Sequence, residues 1–177
     1  MTSGDGPGRV HVVTGPGKGK TTAAFGLAMR AAGHGLRVCV IQFMKSGGTT
    51  GELLAAERLG NIEVLQFGAD GFVRPGSPAE EHVSAAEGAL VEARGRMSSG
   101  SYHLVVLDEV NVAVSVGLLS ADAVLEAVRA RSPGTEVVLT GRDAPKAFMD
   151  MADYVSVIEK AKHPFDQGIE ARKGVEW

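Results

Sequence analysis

Residues 14–22 read Thr14-Gly-Pro-Gly-Lys-Gly-Lys-Thr-Thr22, a stretch that packs glycines, lysines and hydroxyls into nine positions. Small residues let backbone N–H groups converge on phosphate oxygens, and a helix N-terminus directly behind them adds its positive dipole end. Lys20 can reach a polyphosphate as a point charge, and the Thr21 hydroxyl is placed to ligate Mg²⁺. The usual phosphate-loop frame, G-x-x-x-x-G-K-[ST], has a glycine where this chain has Thr14, with Gly15 one place later. Leu104-Val-Val-Leu-Asp-Glu109 supplies the second half of such a site, an apolar run ending in two acids. Mg²⁺ keeps part of its water shell, so Asp108 would hold it through water, while Glu109 would polarise a water, contact the metal or face a second substrate. Alone, such an acid pair also serves merely to end a strand and cap a helix. Arg142, in Thr140-Gly-Arg-Asp-Ala-Pro145, follows another apolar run and reads equally as a phosphate ligand or as a solvated loop arginine.

These residues need strands and helices to hold them. Strand patterns fall at 9–13, 37–43, 62–66, 103–107, 136–140 and 154–158, and helical ones at 21–33, 51–59, 78–98, 120–130 and 145–151. Several strands are near-continuous Val, Ile and Leu, as expected where both faces are buried in a parallel sheet flanked by helices. Alternation along the chain predicts an α/β three-layer fold with a mostly parallel sheet. Ser77 is expected to cap the helix at 78–98, with Pro78 in its first position. Ala113–Leu119 reads as a short helix and turn. Between strand and helix, residues 68–76 form the longest irregular segment, carrying Phe72 and Arg74 outside any core period, where substrate contacts are usually made.

Bulk properties narrow the class. With 177 residues, 44% hydrophobic and 22% charged, the chain fits one compact domain over 9–177 behind a flexible leader at 1–8. A net charge of −3 argues against a general nucleic-acid binder. No apolar run approaches a membrane span and no export signal opens the chain, so a cytoplasmic protein is expected. The single cysteine, Cys39, sits in an apolar strand pattern and reads as a core residue. No second His or Cys stands at ligand spacing from His163, which argues against zinc.

Five stretches together resemble one family: residues 14–26, Gln42-Phe-Met-Lys45, 107–113 with Gly117-Leu-Leu, 139–145, and Lys162-His-Pro-Phe through Trp177. They are similar to the ATP:corrinoid adenosyltransferases of the phosphate-loop type, over residues 9–177. The resemblance implies a RecA-like phosphate-loop NTPase fold in which a Co(I) corrinoid attacks the ribose C5′ of ATP and expels triphosphate, with Mg²⁺ as cofactor, a homodimer as assembly and a flavoprotein-type electron donor. It assigns the triphosphate to Thr14, Gly15, Gly17, Lys18, Gly19, Lys20, Thr21, Thr22 and Arg142, with Lys20 and Glu109 catalytic. Mg²⁺ falls to Thr21, Asp108 and Glu109, and the corrinoid side to Phe72 and Arg74. Family members bind ATP in a reversed sense along the loop, which would suit the displaced glycine. Many relatives carry Gly-Phe-Thr-Trp where this chain has Gly71-Phe-Val-Arg74, so the tryptophan is absent here. Many also have an N-terminal extension over the corrinoid; the short leader implies a more open site. Two other readings stay open from the residues: a phosphate-loop ATPase or kinase yielding ADP, and a non-catalytic corrinoid carrier.

Overall fold

The computed structural model describes residues 6–74 and 76–175. Six strands form one parallel sheet: β1 (Val10–Thr14), β2 (Val38–Phe43), β3 (Ile62–Phe67), β4 (Leu104–Asp108), β5 (Glu136–Thr140) and β6 (Tyr154–Val157). Their order is β3-β2-β4-β5-β1-β6, and every neighbouring pair is parallel. The continuous apolar runs explain the arrangement, because β2 and β4 are buried at every position.

Helices α1 (Lys20–Gly33) and α2 (Gly51–Leu59) cover one face, while α3 (Glu80–Ser98), α4 (Val110–Ser115), α5 (Ala121–Arg129) and α6 (Lys146–Met151) cover the other. This is a three-layer α/β architecture consistent with a phosphate-loop NTPase fold. Small residues set the layer spacing. Ala24, Ala28 and Ala32 recur every fourth position on the buried side of α1, and Ala86, Ala89 and Ala93 recur at steps of three and four on that of α3. Cys39 is fully buried between the layers, and burial pushes its thiol up to about 12, as befits a core residue.

Two expectations are corrected. Ser77 does not cap α3, which begins at Glu80 behind an extended Ala79 that makes no side-chain cap bond. Pro78 therefore lies outside the helix, and Glu80 and Glu81 alone favour its positive end. The helix after β4 also starts earlier than read, at Val110 rather than Ala113. At the other end, Gly8 is buried, donates to the Pro133 carbonyl oxygen at 2.6 Å and accepts from Arg131, so the last residue of the expected leader belongs to the packed fold. No helix among the described residues is long and apolar enough to cross a membrane.

Candidate active site

The 14–22 loop, Lys45, Asp108-Glu109 and Arg142 meet at the C-terminal ends of the strands. β1 runs into the loop at 15–19, and α1 begins at Lys20 behind Gly19, whose φ of 119° is a left-handed conformation that favours glycine. β4 delivers Asp108, and β5 lies between β1 and β4 in the sheet. That intervening strand ends in Thr140, which ties the two halves together. Its hydroxyl donates to Asp108 Oδ1 at 2.8 Å and accepts from the Glu109 backbone N–H at 3.0 Å.

Asp108 is fully buried and well supplied with donors. Thr21 Oγ1 reaches Oδ1 at 2.9 Å, Gln42 Nε2 reaches Oδ2 at 2.9 Å, and Lys45 Nζ approaches Oδ2 at 3.3 Å. The link between Thr21 and Asp108 brings the hydroxyl of the 14–22 loop against the strand-end acid. Glu109 occupies the turn that follows, with a φ of 66°, unusual for a residue with a side chain. Burial, and then the neighbouring Asp108 charge, raise its carboxyl above the usual carboxylate range. Two carboxylates and a hydroxyl are hard oxygen donors of the kind Mg²⁺ takes. They are too few to cage it, so a bound ion would keep waters or phosphate oxygens. The residues fit that ion.

The lysines of the loop behave differently. Lys20 is 7% exposed, and its ammonium donates to the carbonyls of Gly17 at 2.7 Å and Gly15 at 2.9 Å. Burial lowers its pKa, against the opposing pull of the Glu109 charge. Lys18 points outward to the Val175 carbonyl oxygen at 3.2 Å. Thr14 is buried, and its hydroxyl accepts from the Ala144 N–H at 3.2 Å, which braces the loop bearing Arg142 against β1.

Gly15 and Gly17 have a structural reason for being glycine that the sequence did not reveal. The chain leaving β6 runs directly over them. A Cβ on Gly15 would lie 2.5 Å from the Ile158 carbonyl oxygen, and one on Gly17 would lie 2.6 Å from that of Glu159. The Gly17 N–H is itself donated to the Ile158 oxygen at 2.7 Å. A Cβ on Gly19 would meet only the end of the Ile158 side chain, at an ordinary 4.0 Å, so its requirement is conformational.

Around these groups lies a cleft of about 1100 Å³, lined by Gly17, Lys18, Gly19, Lys20, Thr21 and Thr22, and by Lys45, Glu109 and Arg142. Its other wall is apolar, formed by Phe25 and Met29 of α1 with Ala55 and Leu59 of α2. Sequence reasoning missed this wall. The signal was present, since α1 buries alanines and leaves the larger Met29 exposed, the reverse of an ordinary core helix. His163, Ala171, Gly174 and Val175 close the cleft from the C-terminal segment, which turns through a 3₁₀ helix at Pro164–Gln167. Phe72 and Arg74 are not among the lining residues; both are exposed on the 68–79 connection, Phe72 at 99%. A smaller cavity of about 610 Å³, lined in part by Leu27, Leu36 and His103, opens at the opposite ends of the strands, away from this chemistry.

The chain was compared with known proteins. The model of the family described as ATP:corrinoid adenosyltransferase BtuR/CobO/CobP matches residues 7–177. A corrinoid adenosyltransferase of Pseudomonas aeruginosa is 38% identical over 170 residues, covering 96% of this chain and 84% of that protein. One from Sinorhizobium is 35% identical over 178 residues, with 99% and 83% covered. One from Escherichia coli K12 is 36% identical over 170 residues, with 96% and 86% covered.

Proposed function

The chain belongs to the ATP:corrinoid adenosyltransferase family, and on that premise we propose that its large cleft binds ATP with the triphosphate along residues 15–22. The protein transfers the 5′-deoxyadenosyl group of ATP to the reduced cobalt of a corrinoid in cobalamin biosynthesis. The observation that carries the site assignment is the bond from Thr21 to Asp108, which brings the phosphate loop and the strand-end acids into one polar floor. The apolar wall of Phe25, Met29 and Leu59 beside that floor suits a ligand with a ring at one end and a polyphosphate at the other.

In this reaction Co(I) is the nucleophile. A cobalt–carbon bond forms at C5′, the C5′–O bond breaks, and triphosphate departs with the electron pair. No general base is required, so the protein's task is to position and to stabilise charge. Lys20 supplies a cation at the centre of the loop, and Gly19 gives the loop the backbone turn that opens α1 toward the phosphates. Arg142 adds a second cation at the cleft wall. Thr21, Asp108 and Glu109 would hold Mg²⁺, which when bound neutralises phosphate charge. Asp108 acts from behind, orienting the Thr21 hydroxyl, because its own oxygens are occupied. Phe72 and Arg74 face solvent on a loop that a corrinoid can approach, and this supports their place on the corrinoid side. The homodimer rests on the resemblance and on the exposed apolar edge of β6, where Tyr154, Val155 and Val157 lie open. The flavoprotein-type donor rests on the resemblance alone.

The test is incubation with ATP, Mg²⁺ and chemically reduced cobalamin, followed in the visible spectrum. A light-sensitive alkylcobalt product with one triphosphate released is expected. ADP without alkylation would make the protein another kind of phosphate-loop enzyme, and corrinoid binding without turnover would make it a carrier.

A further inference from the structure

Lys45 stands in the cleft, and nothing in the mechanism above uses it. We propose that Lys45 is a further catalytic residue, a cation that contacts a phosphate oxygen of the bound nucleotide and supports departure of its triphosphate. The inference rests on the adenosyl-transfer reading of the cleft.

The ammonium's contact with Asp108 does not account for its presence. Asp108 already accepts from Thr21, Thr140 and Gln42 at 2.8–2.9 Å. The Gln42 carboxamide is fixed in the required sense, because its oxygen accepts from Gln66 Nε2 at 2.9 Å and so its NH₂ faces the acid. The carboxylate is therefore satisfied from α1, β5 and β2 without an ammonium. Lys45 Nζ sits further off at 3.3 Å, and its side chain is 31% exposed where that of Asp108 is fully buried. Such a contact holds the ammonium loosely at the edge of the cleft.

The backbone, by contrast, is held firmly. Met44 takes a φ of 60°, a left-handed conformation disfavoured for a residue with a side chain. Lys45 N–H donates to the Phe67 carbonyl oxygen at 3.2 Å. Gly68 permits the approach, since a Cβ there would lie 2.6 Å from Lys45 N and 2.7 Å from Lys45 C. A lysine kept only for a weak ion pair needs no such placement. Strained backbone next to a residue facing a polar cleft is the pattern of a pre-organised ligand contact. Lys45 lines the cleft with Lys18, Lys20 and Arg142, against Glu52 and Glu109, so its ammonium adds to the positive charge that a triphosphate leaving group would meet.

The experiment uses the full chain as wild type, Lys45→Ala, Lys45→Met and Lys45→Arg. Inorganic tripolyphosphate binding is measured by calorimetry, and kcat and KM are measured with preformed Co(I) corrinoid. Loss of the ammonium is expected to weaken tripolyphosphate binding by roughly tenfold or more and to lower kcat. KM for the corrinoid should be unchanged, and Lys45→Arg should recover most of the loss. The methionine variant keeps the stem packed, so a folding defect confined to Lys45→Ala does not mimic this result. Unaltered tripolyphosphate affinity in the neutral variants overturns the proposal; a changed corrinoid KM would then make Lys45 a corrinoid contact, and a lowered melting temperature alone would make it a structural partner of Asp108. Wild-type protein that turns over and binds tripolyphosphate while the variants match it leaves the reading of the cleft intact and removes only this inference. Wild-type protein that binds no tripolyphosphate removes both.

Discussion

The ammonium of Lys20 lies 2.7 Å from the carbonyl oxygen of Gly17, three residues before it in the same loop. A second bond, to Gly15, holds the side chain across the loop at whose edge it begins. The lysine thus organises the ring of backbone that would surround a phosphate while its own charge sits at the centre. Carbonyl oxygens are weaker partners for a cation than a phosphate dianion, and the burial that comes with the geometry lowers the lysine's pKa. An arriving polyphosphate meets a charge that is already in place and poorly solvated.

Replacing Lys20 by Ala should cost about 3 kcal/mol or more of barrier, a loss of roughly a hundredfold in turnover. The rate with preformed Co(I) corrinoid measures it, and near-normal turnover would sink the assigned role.

The same residue should mark the pH dependence of binding. In the free protein its pKa is lowered by burial, and a bound phosphate raises it again. ATP binding should therefore take up protons once the pH exceeds the lowered value, and affinity should fall as pH rises through it. Calorimetry in buffers of different ionisation enthalpy reads this directly. Lys20→Met should abolish the proton uptake.

Glu109 is shifted in the opposite direction, upward, and acts on the acid side. Its carboxyl titrates above the usual range in the folded chain, so the folded state binds more protons than the unfolded one between the two values. Stability should fall as pH rises through that window, and the penalty persists above it. Glu109→Gln should flatten this slope in thermal melts of the free protein and leave it at least as stable as wild type near neutral pH. With ATP and Mg²⁺ the order should reverse in benefit, wild type gaining more than the variant, and the variant's turnover should fall by about tenfold or more. A variant with an unchanged slope would mean that another group titrates.

Much of this was legible in the residues. All six strands appear where the Val, Ile and Leu runs put them, because continuous apolar character admits few alternatives in a chain punctuated by glycine. Gly19-Lys20-Thr21 and Asp108-Glu109 stand out by their types, and the fold brings the two stretches together. What could not be read is what depends on a third segment. Gly15 and Gly17 look like phosphate-loop glycines, yet the β6 exit packs on them, and no local pattern connects residues 15 and 158. Thr14 looks like a displaced loop residue, but its hydroxyl braces Ala144. Lys45 was visible only as part of a short motif, since its acid lies 63 positions away. Ser77 failed as a cap for a different reason. A suitable side chain does not fix where a helix begins, and α3 starts later, beyond Pro78.

The glycines should separate by cause. Gly17→Ala sets a Cβ against two carbonyls of the β6 exit, and Gly15→Ala adds a φ of 106° to the same conflict. Each should destabilise by about 2 kcal/mol or more. Gly19→Ala meets only the end of the Ile158 side chain at 4.0 Å and incurs the conformational term alone, about 1 kcal/mol. Denaturant titration should give that order. Equal losses at all three would mean that the β6 exit yields to a methyl group.

Phe72 is set apart from the rest of the site, since at 99% exposure it contributes almost nothing to the core. Phe72→Ala should therefore change stability by less than about 0.5 kcal/mol. If aromatic bulk at this loop acts on the corrinoid, the substitution must show in the chemistry. The resemblance implies that an aromatic beside the corrin displaces the lower cobalt ligand, which eases reduction to Co(I), and it gives Phe72 that task without the neighbouring tryptophan. The variant should lose more activity in an assay that starts from Co(II) and a reductant than in one that starts from preformed Co(I). Equal losses in the two assays would place Phe72 in binding rather than in reduction, and no loss in either would remove it from the corrinoid side.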